Sequence, residues 1–165
     1  VLEDHDGDVR KLKEAFGAFA SGVTTICANQ DGAPIGISAS SFVAVSIDPP
    51  LVSVCVQRTS TTWPTLATSP RLGVSVLGVG QSAACRQIAA RDGDRFAGLE
   101  LSTTDDGAVF LVGAAAWLDC SVHEIVPAGD HELVLLAVHA LRTNLDIAPL
   151  VFHGSGFHAL SAVGE

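Results

Sequence analysis

The chain has 165 residues with 9 Lys plus Arg, 18 Asp plus Glu and a formal net charge of -9, the size of one domain at roughly 100–200 residues each. Hydrophobic residues make up 48% and charged residues only 16%, a globular balance; seven Phe, two Trp and no Tyr offer few platforms for stacked bases, so with no basic excess nucleic-acid binding is excluded. The acidic start, Val1 to Asp8, lacks a basic-then-apolar signal pattern, and no apolar run approaches the roughly 18–20 residues of a membrane span, so a cytoplasmic protein with no membrane partner is expected.

Residues 1–9 read as a flexible tail ahead of a single domain spanning 1–165. Leu12, Ala15, Phe16 and Phe19 fall at helical spacing within Arg10–Ser21, with Asp8 as cap and Gly22 beyond the end. Val23–Ala28 and Pro34–Ala39 read as strands around the turn chemistry of Asn29–Gly32, and Leu51–Gln57 as a third. Ser and Thr residues around Pro64 place the start of a short helix near Ser60 or Thr61. Arg71–Leu77 is another strand, and Gln81–Arg91 a helix closed by Asp92-Gly93. Strands are expected at about 114–126 and 131–142, joined by a turn at Pro127–Asp130, with short strands at 149–153 and 156–160. Long neighbouring strands with about three short helices predict a mainly β, antiparallel barrel. Stretches apolar on both faces, such as Leu133–Leu141, predict cover by helices or by a second subunit, hence a homodimer.

Residues 49–91 hold Arg58, Arg71, Arg86 and Arg91 and no acid. In an acidic protein such a window either keeps a place for an anion or is buried strand with few charges of any kind. Gly36-Ile37-Ser38-Ala39-Ser40-Ser41-Phe42 crowds serines and tiny residues at a strand end. It is either a polar bulge or a small-residue wall facing a flat heterocycle such as the pyrimidine edge of a flavin. The Arg58–Thr62 cluster either caps a helix or binds phosphate there.

Gly78-Val79-Gly80-Gln81-Ser82-Ala83 resembles a dinucleotide fingerprint, but no apolar strand follows its helix, so its glycines read as turn residues. The six histidines lack metal-binding spacing, no CxxC pair exists, and no metal is expected. Cys27, Cys55, Cys85 and Cys120 read as small core hydrophobes. His139 inside a strand reads as packed or at an interface, while His131, after Gly129-Asp130, opens a strand from a tight turn, where it is either plainly solvated or projects into a cleft.

Taken in order, several segments resemble the flavin reductase family of two-component monooxygenases, the short-chain FMN-binding split-barrel group. They are Phe19–Thr25, Ser38–Phe42 with Val45–Leu51, Val54–Val56 with Ser60, Leu72–Leu77, Asp94-Arg95-Phe96, Gly129-Asp130-His131 and Pro149–His153. The resemblance implies a six-stranded Greek-key split barrel and a homodimer with flavin sites near the interface. It implies NAD(P)H-dependent reduction of free flavin, FAD before FMN and NADH before NADPH, with the reduced flavin passed to a partner monooxygenase. By the same resemblance Gly36, Ser38, Ala39, Ser40, Ser41 and Phe42 contact the ring system, and Cys55, Val56, Arg58, Ser60 and Thr61 the ribityl chain and phosphate. It extends cofactor contact to Gly73, Val74, Phe96 and Phe157, and makes His131 the residue that places the nicotinamide. Leu72-Gly73-Val74-Ser75 departs from the family's Phe-Ala-Val-Asn, and Phe157 stands where a Tyr is frequent. Two other readings of the same barrel remain: a non-catalytic flavin-binding protein, and an FMN-dependent oxidase of a bound substrate.

Overall fold

The computed structural model describes residues 2 and 4–164. Helix α1 (Val9–Gly17) starts where the Asp8 carboxylate accepts hydrogen bonds from the main-chain N–H groups of Arg10 and Lys11. It begins inside the segment expected as a tail and ends four residues short of Ser21, and it buries none of its own residues.

Strand β1 (Ser21–Gly22) leads into the hairpin β2 (Thr24–Gln30) and β3 (Ala33–Ala39). The turn is the two residues Asp31-Gly32, both at positive φ (50° and 87°), the geometry that matches the twist of the flanking strands. β4 (Val43–Ile47) and β5 (Pro50–Gln57) form the next hairpin, with a cis Asp48–Pro49 peptide between them.

The short α2 (Trp63–Leu66) starts later than Ser60 or Thr61, because the Ser60 hydroxyl accepts from the Trp63 N–H at 3.1 Å and the chain turns helical only there. β6 (Leu72–Val76) is followed by a 3-10 turn (Val79–Gln81) and α3 (Ser82–Ala89), which stops where Ala90 becomes extended. β7 (Leu101–Thr103) and β8 (Val109–Leu111) pair with each other, and the long ribbon β9 (Ala116–Ala128) and β10 (His131–Thr143) turns at Gly129-Asp130. β11 (Leu150–His153) and β12 (Gly156–Ala159) complete the chain.

The main sheet runs β3-β2-β6-β9-β10-β5-β4 and is antiparallel throughout. It has seven strands rather than six, the added one being the edge strand β4. A smaller sheet, β1-β11-β12, lies apart from it. One face of the main sheet packs Ile26, Val54, Leu72, Val74, Val134 and Leu136 together with Trp63 and Leu66 from α2. A second core gathers Val23, Cys27, Leu77, Ile88, Val109, Leu111 and Leu150. β2 is therefore buried on both faces from Thr24 to Ala28. β10 is not: Val134 and Leu136 are fully buried, but Leu133, Leu135 and Ala137 are half-exposed on its other face. Among the described residues no helix is long and apolar enough to cross a membrane.

Candidate functional site

The end of β3 forms one wall of an open cleft of about 170 Å³, lined by Ser38, Ala39, Ser40, Val23, Cys85, Phe152 and Phe157. Ser38 is fixed there because its hydroxyl donates to the Cys85 carbonyl at 3.0 Å, tying the wall to α3. The Thr24 hydroxyl donates to the Ala39 carbonyl at 3.1 Å. Phe152 and Phe157 meet edge to face at 5.6 Å, and the Arg86 guanidinium lies 4.8 Å from the Phe157 ring centre. Ser38 and the Ala39 carbonyl are thus held in place before any ligand arrives, and Ser40 is left exposed with Phe42 half-buried beyond it.

Ser41 carries the wall across to β5. Its hydroxyl accepts from Cys55 N–H at 2.9 Å and donates to Cys55 C=O at 3.1 Å, standing in for a strand partner between two strands that are not neighbours in the sheet. Beyond β5 the Arg58–Thr62 turn lies against the β9–β10 turn, where Arg58 N–H donates to the Asp130 carbonyl at 3.1 Å. Arg58 and Thr61 are exposed, while the Ser60 hydroxyl is spent on Trp63 N–H.

His131 opens β10 opposite Gln57, beside this turn. Its Nδ1 lies 2.7 Å from Asp130 Oδ1. The imidazole holds the Asp130 carboxyl below the usual carboxylate range, through the hydrogen bond first and the charge second. A carboxylate only accepts, so Nδ1 carries the proton, and Nε2 has no hydrogen-bond partner among the described residues. One residue on, Glu132 accepts from the Trp63 indole N–H at 3.0 Å, which locks the ribbon to α2.

Other expected contacts fall elsewhere. Val74 is 0% exposed in the first core, and buried Gly73 lies where a β-carbon would run into the main chain of Val109, so neither presents a surface to a ligand. Gly36 is likewise a close-packing glycine, set against Cys27 Sγ and the Phe96 ring, and Phe96 belongs to the second core. Val56 turns its side chain into the first core and offers only main chain. Gly36, Gly73, Val74 and Phe96, expected to touch the cofactor, are thus packed against other parts of the protein, three of them in strands β3 and β6 and Phe96 in the turn after α3.

The cysteines also divide. Cys27, Cys85 and Cys120 are buried, and burial pushes the thiols of Cys27 and Cys120 up to about 12, so they stay protonated and inert. Cys55 is exposed, contrary to the expected core role, because β5 turns it away from Val54 and Val56. His139 is exposed too, its Nε2 2.7 Å from Ser121 Oγ. The Gly78–Ala83 segment is a strand-to-helix turn: Gln81 Oε1 accepts from Gly78 N–H at 2.9 Å, and no parallel strand follows α3. Of the arginines in the acid-free window, Arg71 pairs with Asp119 at 3.4 Å. Among the described residues no cluster of His, Cys, Asp and Glu side chains is placed to hold a metal.

Sequence reasoning gave no role to Arg95. Its guanidinium donates to Gly36 C=O, Ile88 C=O and Thr62 Oγ1, joining β3, α3 and the turn before α2. The only signal was an arginine inside Asp94-Arg95-Phe96 whose acidic neighbour is otherwise engaged, with Asp94 Oδ1 accepting from Phe96 N–H. A wider groove of about 740 Å³ runs between α1 and the β11–β12 turn, but none of the residues expected to bind lines it.

Over residues 16–161 the sequence matches the family described as Flavin reductase like domain. A flavin reductase of Pseudomonas putida is 32% identical over 157 residues, 94% of this chain and 92% of that protein. HsaB of Rhodococcus jostii (strain RHA1), the reductase subunit of a flavin-dependent monooxygenase, is 35% identical over 146 residues, 88% of this chain and 75% of that one. Among solved structures, the NADH:FAD oxidoreductase SgcE6 of Streptomyces globisporus C-1027, in complex with NAD and FAD fragments, superposes with a TM-score of 0.91 at 31% identity. That match covers 100% of this chain and 99% of SgcE6.

Proposed function

The chain belongs to the flavin reductase-like domain family, and from that premise we infer that it is an NAD(P)H:flavin oxidoreductase that reduces free flavin for a partner monooxygenase. The observation that carries the reading is a chain of contacts linking three features: the Ser38–Ser40 wall, the Arg58–Thr62 turn and His131. They are joined through the Ser41–Cys55 and Arg58–Asp130 hydrogen bonds.

The residues present suit a flavin. Ala39 and Ser40 leave a shallow, small-residue face, Phe157 gives an apolar edge, and Arg58 offers positive charge at the far side for a phosphate tail. When bound, flavin takes a hydride from C4 of the dihydronicotinamide, chemistry that belongs to the two rings themselves. The chain's task is to bring the reacting atoms to about 3–3.5 Å and keep water out. The wall fixes the ring plane, Cys55 to Thr61 follow the ribityl chain and phosphate, and His131 Nε2 accepts from the nicotinamide carboxamide.

The whole of 1–165 serves as one domain. FAD is taken before FMN and NADH before NADPH, the pair named for SgcE6; the partner is a monooxygenase component, as for HsaB. The place of action is the cytoplasm, where the four free thiols stay reduced.

The fold is a split barrel. Supporting that reading, the strands β3-β2-β6-β9-β10-β5 lie side by side in this order, and Ser41, just after β3, bonds Cys55 on β5. The working unit is a homodimer. The cleft of about 170 Å³ is smaller than the roughly 300–1,000 Å³ of a complete small-molecule site. Phe16, Phe19, Val43, Val45, Ile47 and Leu141 are also at least half-exposed, more apolar surface than a monomer usually leaves bare. Sedimentation is expected to give twice the 17.0 kDa of one chain; a monomer at micromolar concentration would remove the second subunit from the site.

Purified protein is expected to oxidise NADH only when flavin is added. Oxidation of a retained substrate without NADH would favour the oxidase reading, and flavin binding without turnover the storage reading. Replacing His131 with alanine is expected to raise KM for NADH about tenfold, the worth of one good hydrogen bond to a charged or polarised group, with flavin affinity changed less than about twofold. Steady-state titration of both substrates separates the two, and equal loss of both would misplace His131.

A further inference from the structure

Arg95 is half-buried in the loop between α3 and β7, and all its hydrogen-bond partners are neutral. Nη1 donates to the carbonyls of Gly36 (3.2 Å) and Ile88 (3.3 Å), and Nη2 to the Thr62 hydroxyl (3.1 Å). Among the described residues no carboxylate forms an ion pair with it, and the adjacent Asp94 spends an oxygen on Phe96 N–H. A guanidinium does not lose its proton, so withdrawing it from water without an anion leaves a charge that is only partly compensated. Three neutral acceptors satisfy its geometry and leave its charge in place.

One of its three bonds brings that charge to the Thr62 hydroxyl. Thr62 ends the Arg58–Thr62 turn, where exposed Arg58 also has no ion pair among the described residues; of the carboxylates beside the turn, Asp130 is engaged by His131, Glu132 by the Trp63 indole and Asp94 by Phe96 N–H. Two guanidinium groups without an ion pair among the described residues therefore flank a turn of hydroxyl-bearing residues in a protein whose net charge is -9. The same guanidinium ties this turn to Gly36, two residues before the Ser38 wall.

We propose that Arg95 is the residue that makes this site prefer phosphorylated flavins over riboflavin. It is a positioning residue: its fixed charge raises the potential at the Thr62 turn, and its fork keeps that turn in register with the wall. The proposal rests on the flavin reading above and adds to it the origin of selection for the anionic tail.

The test compares riboflavin, FMN and FAD binding by fluorescence quenching, and NADH oxidation with each, for the wild type, Arg95→Gln and Arg95→Lys. The wild type is expected to bind FMN at least about tenfold more tightly than riboflavin, with a preference that shrinks as salt is raised. Arg95→Gln loses charge and fork together, so it is expected to remove most of that preference, weakening FMN by at least about tenfold more than riboflavin. Arg95→Lys keeps the charge and loses the planar fork, so it is expected to retain much of the preference with weaker binding of every flavin. Equal weakening of riboflavin and FMN in Arg95→Gln would show a merely structural tie and overturn the proposal. So would a wild-type preference indifferent to salt, a result that does not depend on either variant folding. Failure of the wild type to bind or reduce any flavin would instead overturn the reading of the site itself.

Discussion

Replacing Gly73 with alanine is expected to lower the free energy of unfolding by about 3 kcal/mol, the upper range for forcing atoms into a packed core. A β-carbon there would lie 2.6 Å from the Val109 carbonyl carbon and 2.8 Å from its nitrogen, and closer still to its oxygen. Neither side can retreat. Gly73 is held in the middle of the main sheet, opposite Cys27 on β2 and Asp119 on β9. β8 is pinned above it, where Leu111 N–H donates to Ser75 Oγ at 3.0 Å and the Trp117 indole N–H donates to Leu111 C=O at 2.8 Å. Gly80 is the control: nothing lies within 4 Å of a β-carbon there, and Gly80→Ala is expected to stay within about 0.5 kcal/mol. Urea unfolding of both variants measures the difference, and matching midpoints would mean that β8 does not press on β6 as described.

Leu66→Ala is the second large effect, expected to cost about 3 kcal/mol, within the range for emptying a buried leucine site. Leu66 is 0% exposed and joins Trp63 in the first core, although α2 is only four residues long. So short a helix is not stable by itself and is held by what it buries. The functional consequence follows from the sequence of contacts, since α2 begins directly after Thr62 and anchors the turn proposed to meet the flavin tail. Leu66→Ala is therefore expected to weaken flavin binding as well as stability. Thr65→Ala, on the exposed side of the same helix, is expected to do neither. Denaturant unfolding together with flavin titration tests both halves; a destabilised protein with unchanged flavin affinity would uncouple α2 from the site.

The local part of this architecture was legible in the sequence because it depends on local chemistry. Asp31-Gly32 and Gly129-Asp130 are turn formers whichever strands they join, and Asp8 caps α1 by reaching two and three residues ahead. β4 escaped notice because a strand at the sheet edge with most of its residues exposed carries little of the burial pattern by which strands are recognised. β7 and β8 are three residues each, too short for a period to show.

The site was legible only in pieces. Ser38 and Cys85, Trp63 and Glu132, and Arg95 and Thr62 are 47, 69 and 33 positions apart, and nothing in the chain's order says that they touch. The family resemblance brought the wall, the turn and His131 together in advance. It also drew Gly36, Gly73, Val74 and Phe96 toward the cofactor, whereas all four are packed against other parts of the protein, Phe96 from the turn after α3. Arg95 was hidden because its partners, Gly36, Ile88 and Thr62, lie on three separate elements that only the fold brings to it.

The opening charge arithmetic takes on a structural meaning in this light. Both proposed substrates are anions, and a net charge of -9 opposes them at long range. Within about 8–10 Å, roughly the screening length at physiological salt, local charge decides, and there Arg58 and Arg95 carry no ion pair among the described residues while the nearby Asp130 carboxylate is engaged by His131.

The most direct measurement is anaerobic rapid mixing of the protein with one equivalent each of NADH and FAD. With hydride transfer between the two bound rings, the dihydronicotinamide absorbance and the oxidised-flavin absorbance are expected to fall together, in a one-to-one ratio and at one rate, and only when the protein is present. Loss of neither band, or loss of the NADH band with the flavin band unchanged, would contradict the assignment.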